Sequence, residues 1–146
     1  MKVLFDTSVL VASMVRAHPR HEEAFPWLEQ GIEEAFAFQV ACHSLAELYS
    51  VLTTLPVRPA ISPGAARTMI LENVKRHARI VPLGASDYAS VIHRMAGLEI
   101  RGGAFYDALI ARAAQKAKAD RLLTLNTRDF RLVWPEGDDV IASPAR

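Results

Sequence analysis

A single cysteine, Cys42, stands among the 146 residues. One thiol excludes an internal disulfide and any cysteine-rich zinc site, and it suits a reducing, cytoplasmic setting. An excess of one charge is missing too, since 17 Lys and Arg face 16 Asp and Glu, for a net charge of +1. That near-balance excludes a surface built wholly for nucleic acid or an anionic membrane, while leaving room for a local basic groove. No stretch approaches the roughly 20 apolar residues that span a bilayer. The opening MKVLFDTSVLVASMV pairs an early Lys2 with an apolar run, but Asp6 interrupts it, so no secretory signal is expected. No repeat, low-complexity tract or linker divides the chain. With 51% hydrophobic types, residues 1–146 are expected to form one domain with a substantial core.

What the chain does contain is an alternation of short apolar runs and helical patterns. Val3-Leu4-Phe5, Phe36 to Val40, Ile80 to Leu83, Arg121 to Thr124 and a weak Asp139-Val140-Ile141 read as five strands. Between them, helices are expected from about Thr7, over 20–34 with a kink or restart at Pro26, from Ser44 to about Leu55, and after Ser62-Pro63. A further stripe joins Tyr88, Val91, Ile92, Met95 and Ala96. The fullest one joins Tyr106, Leu109, Ile110, Ala113, Ala114 and Ala117. Buried strands separated by helices call for a mostly parallel sheet covered on both faces, an α/β sandwich. In such sheets ligands bind beyond the carboxyl ends of the strands, where strand order reverses.

Four acids sit near those ends. Taken singly, each has an ordinary explanation. Asp6 can cap a helix, and Glu47 completes a Ser-x-x-Glu capping box with Ser44. Asp107 suits the first turn of its helix, and Asp129 reads as a loop acid. Taken together, Asp6, Glu47, Asp107 and Asp129 converge, because helices that follow parallel strands begin at one edge of the sheet. Close pairs of carboxylates repel by ~4 kcal/mol at an effective dielectric near 20. A hard divalent cation such as Mg²⁺ or Mn²⁺ offsets that repulsion, and such a site suits phosphodiester hydrolysis.

The segments VLFDTSVLVA, CHSLAELYSVL, AFYDALIARAA and LLTLNTRDF carry these acids in order across residues 3–130. In this the sequence resembles the PIN-domain ribonucleases, in particular the VapC-type toxins of toxin–antitoxin modules. The resemblance implies a PIN-like three-layer α/β/α sandwich with a central sheet of about five strands. It also implies a metal-dependent endoribonuclease that leaves a 5′-phosphate and a 3′-hydroxyl. Asp6 and Asp107 would be the main ligands of Mg²⁺ or Mn²⁺, and Glu47 would help orient the nucleophile. The family's fourth motif often carries a further Asp where this chain has Asn126. Asp129 then supplies the acid, or Asn126 acts as a neutral ligand. Partners implied are an RNA substrate, a small antitoxin protein that blocks the acidic crevice, and a second copy of the chain in a homodimer.

Other residues leave alternatives open. Thr7 and Thr124 can bind a water or phosphate, or serve as cap and strand filler. Gly102-Gly103 can offer N–H groups to a phosphate or form a plain turn. Residues 94–131 hold eight basic and four acidic side chains, among them Arg112, Lys116 and Lys118, which either contact phosphates or solvate a helix face. His18 and His21 read as solvated, and Cys42 as a buried, inert thiol. Two other function classes remain to be weighed. One is a binding module on the same fold that holds nucleic acid or protein without cleavage. The other, a phospho-acceptor receiver domain, is disfavoured because Thr7-Ser8 stand where a second acid belongs and no Lys follows a late strand.

Overall fold

In the computed structural model, which describes residues 1–145, Val3, Leu4 and Phe5 have no solvent exposure. They form β1 (Lys2–Phe5), the central strand, buried on both faces as a continuous apolar run requires. Their side chains alternate. Val3 and Phe5 enter one core with Val9, Leu10, Leu48 and Leu52, while Leu4 enters the other with Leu109, Ala113 and Phe130. Each such burial is worth roughly 1.5–3 kcal/mol.

Beside β1 lie β2 (Ala37–Ala41), β3 (Arg79–Val81), β4 (Arg121–Leu123) and β5 (Ile141–Ala142). Their order is β3-β2-β1-β4-β5, and every neighbouring pair is parallel. Four helices supply the first core: α1 (Thr7–Met14), α2 (His21–Ile32), α3 (Cys42–Thr54) and α4 (Pro63–Ile70). Three supply the second: α5 (Ala85–Gly97), α6 (Ala104–Lys116) and α7 (Thr127–Val133). The expected three-layer α/β/α sandwich is the observed architecture.

Strand order reverses at β1, with β2 on one side and β4 on the other, so a crevice opens beyond the end of β1. α6 leads directly back into β4, which puts the first turn of α6 at that same edge.

Several local expectations are corrected. The Ser44–Glu47 capping box does not form, because β2 runs straight into α3 at Cys42 with Ala41 as the extended cap residue. Ser44 is therefore inside the helix and fully buried. Asp129 lies not in a loop but in the first turn of α7. α2 runs through Pro26 without restarting. β3 begins one residue earlier and ends at Val81, and β5 is Ile141–Ala142 rather than 139–141. Tyr106 extends the stripe of α6 on paper, yet in the first turn of that helix it is 50% exposed.

Candidate active site

Asp6 is both a helix cap and the most buried acid of the crevice, 3% exposed. Its Oδ1 accepts hydrogen bonds from the Val9 N–H at 3.0 Å and from Ser8 Oγ at 2.6 Å. Its Oδ2 accepts from Thr124 Oγ1 at 2.7 Å. These three bonds pull its pKa down, but burial outweighs them and raises it from 3.8 to about 6, with a smaller push from Glu47. The two hydroxyls also accept in turn. Ser8 Oγ takes the Leu125 N–H at 3.0 Å and Thr124 Oγ1 takes the Asn126 N–H at 2.9 Å. The start of α1 is thereby stitched to the loop that precedes α7.

Glu47 projects from the second turn of α3. Thr7 Oγ1 donates to its Oε1 at 3.0 Å and lies 3.2 Å from Ser44 Oγ. Thr7 thus fixes Glu47 against the start of α1, a role neither cap nor phosphate ligand. The His43 ring flanks the same carboxylate, with Nε2 at 3.6 Å from Oε1.

Asp107 comes from the first turn of α6 and is half-buried. Burial first, then the charges of Asp6, Asp129 and Glu47, raise its pKa from 3.8 to about 6. The other three acids named from the sequence therefore all lie within electrostatic reach of Asp107. The four do not share one cavity. Asp6, Glu47 and Asp107 line a cleft of about 340 Å³ together with Thr7, Ser8, His18 and Asn126. Asp129 faces Asp107 across an adjoining groove walled by Leu98, Ile100 and Leu132. Asp107 belongs to both.

The donor set is hard oxygen, crowded and reluctant to ionise, and it fits a hard divalent cation. Among the described residues, no three carboxylate, imidazole or thiol side chains close into a ready-made cage.

Residues with open alternatives fall into place. Arg112 Nε and Lys116 Nζ each lie 3.0 Å from the buried carboxylate of Asp87, so they tie α6 to α5 rather than face a ligand. Together with the Gly84 N–H, the strongest of the three influences, they hold the Asp87 pKa down to about 2. Gly102 takes the left-handed φ of +67° that glycine tolerates and makes the turn into α6. Cys42 is a free, half-buried thiol. His18, read as solvated, instead lines the acidic cleft, where its Nδ1 accepts the Arg20 N–H at 3.0 Å. Burial lowers its pKa, and Arg20 and His21 add to the effect. Nothing local in the sequence marks it, because a loop between α1 and α2 carries it there.

Comparison with known proteins agrees with this geometry. The family model described as PIN domain matches residues 3–133. Ribonuclease VapC40 of Mycobacterium tuberculosis is 35% identical over 128 residues, which cover 88% of this chain and 87% of that one. Ribonuclease VapC27 of the same organism is 37% identical over 126 residues, covering 86% and 83%. The structure of VapBC2 from Rickettsia felis bound to a DNA fragment from its promoter superposes with a TM-score of 0.67, 98% coverage of both chains and 16% identity, a likeness of fold. With its acids placed at the switch point of such a sheet, this chain belongs to the PIN-domain family, in its VapC-type ribonuclease branch.

Proposed function

We propose that residues 1–146 form a single nuclease domain that cleaves RNA with Mg²⁺, or Mn²⁺ in its place, as the toxin of a toxin–antitoxin pair. The observation that carries this reading is the meeting of Asp6, Glu47 and Asp107 in one cleft, where burial and mutual repulsion raise two of them to pKa about 6. Carboxylates that burial and neighbouring charge make reluctant to ionise are a cost to the fold that a bound cation would offset.

Bound Mg²⁺ or Mn²⁺ would activate water and neutralise charge on the scissile phosphate. The chain's own residues hold and aim. Asp6, locked in one orientation by Ser8, Val9 and Thr124, supplies one ligand, and Asp107 supplies the second from α6. Glu47, oriented by Thr7, faces the same cleft and positions the nucleophilic water. Asp129 adds negative charge from the far side of Asp107. In the hydrolysis the water oxygen bonds to phosphorus and the bond from phosphorus to the 3′ oxygen breaks. The products carry a 5′-phosphate and a 3′-hydroxyl.

A small antitoxin is the partner this reading requires. An acidic cleft that accepts a cation also accepts an Arg side chain, which would block it. Among the described residues no helix is long and apolar enough to cross a membrane, and the lone free thiol suits the cytoplasm. A homodimer leaves two clefts open to RNA.

The test is cleavage of single-stranded RNA by the purified chain with Mg²⁺, with Mn²⁺ and with EDTA. Cleavage that requires the cation and vanishes in Asp6→Asn supports the reading. RNA binding without cation-dependent cleavage would instead make the chain a binding module on this fold.

A further inference from the structure

Tyr106 is large, aromatic and half exposed, next in sequence to Asp107 of the cleft. It precedes Asp107 on α6, and none of the chemistry above uses it. One face of its ring is covered. The His43 ring lies parallel to it within 2°, with centroids 5.1 Å apart, an offset stack. Phe105 meets it edge-on, at 6.2 Å and 78°. His43 in turn flanks Glu47 at 3.6 Å. The phenol is thus braced by two rings, tied through His43 to Glu47, and half open to solvent.

A flat, braced, half-exposed ring beside a site for a phosphodiester has the form of a stacking platform. Every nucleobase offers it a π-face, and a base is free to use it only where it is unpaired. Bases within a duplex already stack on their neighbours.

We propose that Tyr106, backed by His43, stacks an unpaired base of the RNA next to the scissile phosphate. This deepens the ribonuclease reading and rests on it. Tyr106 is here a substrate-binding residue that fixes position, with no part in bond cleavage. Stacking needs the ring and not the hydroxyl, which separates this role from a hydrogen bond or a proton transfer.

The experiment uses the full chain and a single-stranded RNA oligonucleotide, intact or lacking the base beside the cleaved bond. Tyr106→Phe is expected to keep kcat/KM within about threefold. Tyr106→Leu is expected to lose roughly tenfold to hundredfold, the effect of one lost base–aromatic stack, mostly through KM. The abasic RNA should cost the wild type a similar factor and cost Tyr106→Leu almost nothing further. Equal activity of Tyr106→Leu and wild type would overturn the proposal, as would equal losses in Phe and Leu, or an abasic penalty that Leu does not diminish. If no RNA is cleaved with any divalent cation, the nuclease reading fails on its own. Stacking is then read by quenching of a 2-aminopurine placed in the oligonucleotide with Ca²⁺ present. Quenching by wild type but not by Tyr106→Leu keeps the platform, and no difference removes it.

Discussion

Thr124 Oγ1 donates to Asp6 Oδ2 at 2.7 Å, a bond between residues 118 apart in sequence that joins the end of β4 to the end of β1. Both side chains are buried, and the same hydroxyl accepts the Asn126 N–H. Two strands and the entry to α7 are held through one oxygen. The acidic crevice is thus built into the sheet edge rather than hung on loops.

Removal of that oxygen is therefore expected to be costly. Thr124→Val keeps the shape but leaves a buried carboxylate oxygen and a backbone N–H without a partner. Hydrogen bonds to charged groups are worth about 1.5–3 kcal/mol, so a loss of about 2 kcal/mol is expected. Urea denaturation checks it, with Thr124→Ser staying near wild type. A Val variant as stable as wild type would show that the bond does not anchor the crevice.

Asp6→Asn and Asp107→Asn should each abolish cation-dependent cleavage while leaving the chain folded. Asn at position 6 retains an oxygen for the Val9 N–H and Ser8, and its Nδ2 donates to Thr124 Oγ1 in place of the bond that Oδ2 accepts. It also sheds a charge whose burial is unfavourable. Stability should therefore hold or rise, whereas Asp6→Ala also forfeits a helix cap worth about 1 kcal/mol. Activity assays paired with circular dichroism decide. Near-wild-type cleavage by either Asn variant would remove that residue from the ligand set.

Dependence on pH follows from the same two acids. In the unfolded chain they ionise near 3.8, and in the folded chain only near 6. Between those values the folded state binds more protons, so stability falls as pH rises from about 4 to 6 and levels off above. For Asp6 the difference is on the order of 3 kcal/mol, and for the half-exposed Asp107 solvent screening makes it smaller. Asp87 has the opposite sign, its contribution being lost as pH falls from 3.8 towards 2, outside this window. Thermal melts in EDTA should show a higher midpoint at pH 5 than at pH 7. Added Mg²⁺ should raise the pH 7 midpoint more than the pH 5 one. A flat profile in EDTA would contradict the assignment.

Much of this site was legible in sequence, for a specific reason. Asp6, Glu47 and Asp107 each fall in or beside the opening turn or two of a helix that starts at the carboxyl edge of a parallel sheet, and the apolar runs reveal where those edges are. The missing parts depend on contacts between distant segments. His18 reaches the cleft through a loop that no local pattern predicts. Tyr106 obeys the apolar period of α6, but periodicity does not report which turn of a stripe is left uncovered. α7 is only seven residues long and begins after an Asn without a side-chain capping bond, so LNTRDF reads as loop. The false capping box at Ser44 shares this origin, since Ser44 is satisfied by Thr7 from another helix.

The fourth acidic position is testable by exchange. Asn126 lines the cleft with Asp6, Glu47 and Asp107, while Asp129 acts on Asp107 from the neighbouring groove. If Asp129 supplies the charge, Asp129→Asn should weaken Mn²⁺ binding several-fold and Asn126→Ala should change it little. Asn126→Asp should tighten it. Calorimetric titration of Mn²⁺ gives the ranking, and the reverse order would move the fourth ligand to Asn126.

Association is the remaining expectation. Segment 44–98 brackets β3, the strand at one edge of the sheet, and carries apolar side chains with no cover in the single chain. Tyr88 and Ile92, one turn apart on α5, are exposed, Ile92 by 58%, as is Tyr49 on α3. A stable interface buries about 800 Å² from each partner, and a two-fold pair is the commonest soluble assembly. A homodimer built on this segment would cover these side chains. Leu132 on α7 is more exposed still, at 63%, but lies outside the segment beside Asp129, which makes it the discriminating control. Light scattering should give twice 16.1 kDa for the wild type and for Leu132→Glu, and a shift towards 16.1 kDa for Ile92→Glu. A monomeric wild type at micromolar concentration would end this expectation. A dimer broken by Leu132→Glu alone would move the interface to the α7 groove, against the acids themselves.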